Sequence, residues 1–281
     1  MIREKRMKCP AAVLLVILTL GGGAGLCIGE AASQETIYIE AGFLSPVLVR
    51  VPAEPAVKPP LLVVLHGRGD TAANMAGMWN GLMDPKPILA VLEAPYPMLL
   101  TGDKGSVLGW SWDPLSPDEK LWEQAVPKTA MYIINTILAL RKKYETGEVF
   151  LLGHSQGVSY AYRVALQKPD LVKGVIAMAG YLDPERLPQK WFSRASGKVS
   201  VFIGHGRKDA QVDPEDSRKA KAYLSERGFA VILDEFEGGH SMTWDVVRRA
   251  QAWMNGIGMN DETAYWPRIL SPVGPVFNSP Q

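Results

Sequence analysis

Cysteine is nearly missing from this 281-residue chain: there are two, Cys9 and Cys27, both near the N-terminus. Everything after them therefore offers no disulfide, no thiol nucleophile and no cysteine metal ligand. An excess of one charge is missing too. Thirty Lys and Arg face 29 Asp and Glu, a formal net charge of +1, so a nucleic-acid partner, which would favour a clear basic excess, is not expected. Histidine is scarce, with His66, His154, His205 and His240 and no pair at the spacing of a helical zinc site. No Walker-type phosphate loop occurs, and no metal, nucleotide or other cofactor is expected. Residues 35–255 contain no internal repeat and no low-complexity linker. The composition is that of an ordinary globular protein, 47% hydrophobic and 21% charged, and the length suffices for a sizeable core.

One long apolar run is present, and it lies at the start. Arg3, Lys5, Arg6 and Lys8 precede an apolar stretch from Ala11 to Leu20, a glycine-rich segment, and then the small residues Gly29, Ala31, Ala32 and Ser33. This is the order of a secretory signal peptide, read here as residues 1–31, which predicts export. The competing arrangement is an N-terminal membrane anchor. Ala11–Ile28 is near the lower length for a spanning helix, and its glycines weaken it as one. With 1–31 removed, no stable membrane span is expected.

The rest alternates short β-rich runs with helical ones. Thr36–Glu40 and Pro46–Val51 read as leading strands. Leu61–Leu65, Ile88–Leu92, Val149–Leu152, Gly174–Met178, Val199–Ile203 and Ala230–Phe236 read as buried strands. Helical patterns cover Pro127–Tyr144, a stripe of Val158, Ala161, Tyr162, Ala165 and Leu166, Pro214–Arg227, and Ser241–Asn255. Such alternation predicts an α/β fold with a mostly parallel central sheet and helices on both faces. Residues 32–255 form one domain in this reading, followed by a proline-containing tail over 256–281.

The strongest local signal is Gly153-His154-Ser155-Gln156-Gly157. An apolar strand runs into it and an amphipathic helix leaves it, the context that puts a serine on a strained turn with its hydroxyl exposed. A serine needs a base. His66 and His205 each end a predicted strand and read as loop-shaping residues, and His154 is adjacent to the serine and points elsewhere. His240 follows the last strand in Glu237-Gly238-Gly239-His240 and is the candidate general base. Asp209, after the strand ending at Ile203, is the candidate acid partner. Asp183 is a rival, and Asp213 reads better as a helix N-cap. The order Ser155, Asp209, His240 is that of α/β-hydrolases. The backbone N–H groups of Gln156 and Arg68 are the candidate oxyanion donors.

These pieces resemble the phospholipase/carboxylesterase family of α/β-hydrolases, which includes the acyl-protein thioesterases. The matching segments are Leu65–Asp70, Glu93-Ala94-Pro95, Gly153–Gly157, Gly204–Asp209 and Gly239-His240, with Gly109–Asp113 similar to the family's tryptophan-containing loop. The resemblance implies the α/β-hydrolase fold and cofactor-free hydrolysis of esters or thioesters, with Trp110 and Trp112 near a small-molecule or lipid-like ester substrate. Family members commonly carry a hydrophobic residue where Arg68 stands. Export argues for a general carboxylesterase over an enzyme of cytosolic acylated proteins. The alternatives are a serine peptidase of the same fold and a non-catalytic binding protein. Trp79, Tyr96 and Met98 also fall in loops expected near the pocket.

Overall fold

A computed structural model of the chain describes residues 45–53, 55, 57–102, 105–256 and 276–277. The expected signal peptide, the first expected strand and most of the C-terminal tail lie outside the described residues. In chain order, β1 (Val47–Arg50) is followed by β2 (Leu61–Leu65), a short α1 (Ala72–Met75) continuing as a 3-10 turn to Gly81, and β3 (Ile88–Leu92). A hairpin of β4 (Tyr96–Gly102) and β5 (Gly105–Ser111) precedes α2 (Glu119–Tyr144). Then come β6 (Val149–His154), α3 (Gln156–Gln167), β7 (Gly174–Met178), α4 (Gln189–Ala195), β8 (Ser200–Gly206) and α5 (Pro214–Ser225). The chain closes with β9 (Val231–Phe236), β10 (Met242–Thr243), α6 (Trp244–Gly256) and β11 (Val276–Phe277).

Seven strands form the main sheet in the order β1-β3-β2-β6-β7-β8-β9. Only β1 runs antiparallel to its neighbour; every other pairing is parallel. The sequence of β2 shows why. All five of its residues are buried, and because side chains alternate across a strand, they serve two cores. Leu61, Val63 and Leu65 pack with Ile133, Val158 and Leu224 on one face. Leu62 and Val64 pack with Met75, Val246 and Ala250 on the other. A strand apolar on both sides is stable only between two helical layers, which is the α/β-hydrolase architecture.

Local chemistry sets most boundaries. Asp213 caps α5 as expected, its Oδ1 accepting the Glu215 N–H at 2.9 Å. α2 departs from expectation: it starts at Glu119, eight residues before Pro127, with Asp118 accepting from the Lys120 N–H at 3.0 Å. Proline inside a helix costs about 3 kcal/mol, and here Ala125, Val126 and Ala130 are buried on either side of it, which offsets that cost. α6 begins at Trp244 and not at Ser241, because Met242–Thr243 pairs with Val276–Phe277 as a small antiparallel ribbon. The β4–β5 hairpin was not anticipated; Pro97 and the glycines at its turn and base mask its alternation. Among the described residues, no helix is long and apolar enough to cross a membrane.

Candidate active site

β6 ends in a turn that local sequence alone demands. Ser155 has φ 51° and ψ −118°, a conformation costly for any residue with a side chain and concentrated at functional sites. Two glycines make the turn feasible by close approach. A β-carbon on Gly157 would collide with the Leu65 carbonyl of β2, and one on Gly153 with the backbone of Gly157 and Val158. The strand can thus turn straight into α3 and leave the serine hydroxyl at the sheet's carboxyl edge.

Two further loops converge on that edge. The loop after β8 and the loop after β9 are joined by backbone bonds, Arg207 N–H to Phe236 O and Lys208 N–H to Gly238 O, both at 2.9 Å. They bring His240 to Ser155: His240 Nε2 lies 2.9 Å from Ser155 Oγ. On its other side, His240 Nδ1 lies 2.8 Å from Asp209 Oδ2. Asp209 Oδ1 accepts the N–H groups of Gln211 and Val212 at 2.8 and 3.0 Å. Burial works to raise the Asp209 pKa; these two N–H groups and the His240 ring outweigh it, and the carboxyl is held below its ordinary range. The rival Asp183 is elsewhere, half-buried and engaged with the Glu185 N–H and with Arg186.

The arrangement is a line of three side chains that can take a proton from a hydroxyl and stabilise the resulting imidazolium. Gln156 is the first residue of α3, so its N–H has no intrahelical acceptor. No described residue accepts the Arg68 N–H either, and a β-carbon on the preceding Gly67 would lie 3.4 Å from the Ser155 β-carbon. Gln156 and the Gly67-Arg68 segment therefore both lie beside the serine. The loop of Arg68 is held by the hairpin: Gly69 N–H donates to Trp110 O at 2.8 Å and Trp110 N–H to Asp70 O at 3.1 Å.

Several aromatic and histidine residues take roles the sequence did not reveal. Trp112, expected at the substrate, is fully buried and donates its indole N–H to the His66 carbonyl at 2.8 Å. It holds the start of the loop that carries Arg68. Trp110 is half-buried and packs on the core as part of β5. Tyr96 and Met98 belong to β4 and Trp79 to the 3-10 turn. His66 is buried, with Nδ1 donating to the Gly67 carbonyl at 2.7 Å and Nε2 accepting from Ala94 at 3.1 Å. His205 is the larger surprise: its Nε2 lies 3.2 Å from the same Asp209 oxygen that meets His240. Nothing in the spacing announces this, because the contact depends on how the loop after β8 folds back. His154 is buried with neither ring nitrogen paired among the described residues. Its ring centroid is 5.2 Å from that of His240. Burial, then the His240 charge, pushes its pKa down to about 4.

The Gln156 side chain is tied down apart from its backbone. It accepts from the Trp112 N–H at 3.0 Å and donates to Ser111 Oγ at 3.1 Å and Asp113 Oδ2 at 3.0 Å. The Tyr160 hydroxyl donates to Asp113 Oδ1 at 2.6 Å. A cleft of about 440 Å³ opens here, lined by Arg68, Ser111, Asp113, Pro114–Pro117 and Gln156. A second cavity of about 200 Å³, bordered by Trp122, Tyr162 and Leu182, shares Asp113 with it. Among the described residues, no group of three or more His, Cys, Asp and Glu is placed to hold a metal ion.

With this geometry in hand, comparison with known proteins places the chain. The sequence pattern of the phospholipase/carboxylesterase family matches residues 48–256. The chain belongs to that family. The family is named for phospholipases and carboxylesterases. The chain is 26% identical over 112 residues to MhqD of Bacillus subtilis (strain 168), a protein whose name makes it a hydrolase; the match covers 40% of this chain and 54% of the relative. The match thus spans about half the length of that curated relative. Among solved structures, esterase PE8 is similar at a TM-score of 0.58 and 24% identity, covering 76% of this chain and 98% of that one. The acyl-protein thioesterase 2 of Zea mays is similar at a TM-score of 0.58 and 16% identity, covering 76% and 99%. At these identities the structural likeness speaks for the fold.

Proposed function

We propose that this family member is a serine carboxylesterase in which Ser155, His240 and Asp209 act as one unit. The observation that carries the reading is the unbroken hydrogen-bonded line from Asp209 through His240 to a serine held on a strained turn. Ser155 Oγ attacks the ester carbonyl carbon while His240 Nε2 takes the hydroxyl proton. The carbonyl oxygen becomes an oxyanion and receives the N–H groups of Gln156 and Arg68. Collapse breaks the bond to the alcohol, which leaves with the proton from His240, and the acyl group remains on Ser155. Water then repeats the attack with His240 as base, releasing the carboxylic acid and regenerating the serine. Asp209 fixes the His240 tautomer and stays ionised throughout. Its depressed pKa supports that role.

The test is hydrolysis of 4-nitrophenyl esters from acetate to palmitate by wild type and Ser155→Ala side by side. Wild type should turn over the short members, and Ser155→Ala should lower kcat by roughly 10³-fold or more. Retention of most activity by Ser155→Ala would remove Ser155 from the mechanism.

A further inference from the structure

Two charged side chains line the cleft beside Gln156, and they are in opposite states. Asp113 has both oxygens occupied, one by the Tyr160 hydroxyl and the other by the Gln156 amide. Arg68 is exposed, and no described residue hydrogen-bonds or ion-pairs its guanidinium. Four other arginines are engaged, Arg186 with Asp183, Arg207 with Glu237, Arg218 with Glu215 and Glu235, and Arg249 with Asp234, whereas Arg68 is the one arginine in the lining of this cleft. A planar guanidinium with five donors is matched by a carboxylate, which it can grip in two places. The N-terminus of the twelve-residue α3 adds its positive end to the same wall of the cleft.

The position of the cleft says which half of the substrate it takes. In the reaction above, the leaving alcohol receives its proton from His240, so it departs on the His240 side. The cleft is bounded by the Arg68 loop, the segment from Ser111 to Pro117, and Gln156, and His240 is not part of its wall. It therefore receives the acyl half. Its lining mixes the polar Arg68, Ser111, Asp113, Ser116 and Gln156 with the apolar Pro114, Leu115 and Pro117, a match to a few methylenes ending in an anion.

We propose that the preferred acyl group is a short dicarboxylic acid, bound as its half-ester with the free carboxylate on Arg68. This rests on the esterase reading and narrows it. The test compares kcat/KM, by titration of released acid, for monoethyl glutarate and its near-isostere ethyl pentanoate. A second pair, 4-acetoxybenzoate and phenyl acetate, puts the carboxylate on the leaving half. Wild type should favour monoethyl glutarate over ethyl pentanoate by about tenfold. Arg68→Met should bring that ratio to about one, and Arg68→Lys should restore part of it. Added 0.5 M salt should shrink the wild-type ratio, since the pair is solvent-accessible. The second pair should show no preference that depends on Arg68. A wild-type glutarate ratio of one or less, a ratio untouched by Arg68→Met, or an Arg68-dependent preference on the leaving half would each overturn the proposal while leaving the esterase standing. Absence of turnover on all four esters would overturn the esterase reading, and this one with it.

Discussion

Two histidines reach the same carboxylate oxygen, and only one of them also reaches the Ser155 hydroxyl. His240 Nδ1 lies 2.8 Å from Asp209 Oδ2, and His205 Nε2 lies 3.2 Å from it. The His205 side chain is 0% exposed and that of His240 10%. The decisive difference lies at the other nitrogen. His205 Nδ1 is 2.6 Å from Ser217 Oγ inside the fold, and its Nε2 is also 3.1 Å from the Val212 carbonyl. Since both partners of Nε2 are acceptors, Nε2 carries the proton and Nδ1 accepts from the Ser217 hydroxyl. His205 has no free position toward a substrate. His240 spends one nitrogen on Asp209 and aims the other at Ser155. In the proposed mechanism, identical side chains become a proton carrier or a brace according to what each ring leaves uncommitted.

The contrast yields graded expectations. His240→Ala should lower kcat by roughly 10³-fold or more on a 4-nitrophenyl ester; a mild effect would return the base to the pool of histidines. Asp209→Asn should follow at roughly 10²- to 10³-fold, against a change within about twofold for Asp183→Asn. Equal losses would separate the acid from the geometry. A third histidine sharpens the comparison through stability. His154 lies beside His240 with its ring tilted at 45° to it, is fully enclosed, and has its pKa pushed down to about 4 from an ordinary value of 6.5 by burial and then by the His240 charge. Between those two values the unfolded chain binds the proton and the folded chain does not. Stability should therefore fall as pH drops through that window, by about 3 kcal/mol. Replacing His154 with Phe removes the titrating group without orphaning a partner, so urea unfolding at pH 7 and pH 4.5 should show a smaller loss in His154→Phe than in wild type. An equal loss would assign the acid sensitivity elsewhere.

The brace itself should give the smallest rate effect. His205→Ala leaves Asp209 its two backbone N–H groups and its bond to His240, but removes the contact that fixes the oxygen from behind. A drop in kcat of about tenfold with KM little changed is expected, as for a small misplacement of a reacting group. A loss as deep as that of His240→Ala, or none at all, would erase the distinction between carrier and brace.

What could be read without the structure has a common basis in local physics. Strands such as β2 and β3 are visible because five consecutive buried apolar residues can lie only between two helical layers. The turn at Ser155 is visible because Gly153 and Gly157 stand where backbones meet. Asp213 is visible as a cap because it directly precedes Pro214 at the start of a helical pattern, and its carboxylate meets the N–H two residues on. The sequential order of Ser155, Asp209 and His240 follows from the same local signals, each residue lying just after its own strand.

By itself, then, the amino-acid order determined the α/β architecture, the strained serine turn and the candidates that could serve it, since these depend on neighbours a few residues apart. Tertiary structure alone decided which candidates meet. Ser155 and His240 are 85 positions apart, and only the pairing of the loops after β8 and β9 brings them within hydrogen-bond reach. The same long-range packing buried Trp112 against the His66 carbonyl and set the β4–β5 hairpin against Gly69 and Asp70. It also filled both oxygens of Asp113, leaving Arg68 to face the cleft with no partner among the described residues. Burial and partnership are properties of the packed chain, and they assign roles among residues whose types the sequence has already supplied.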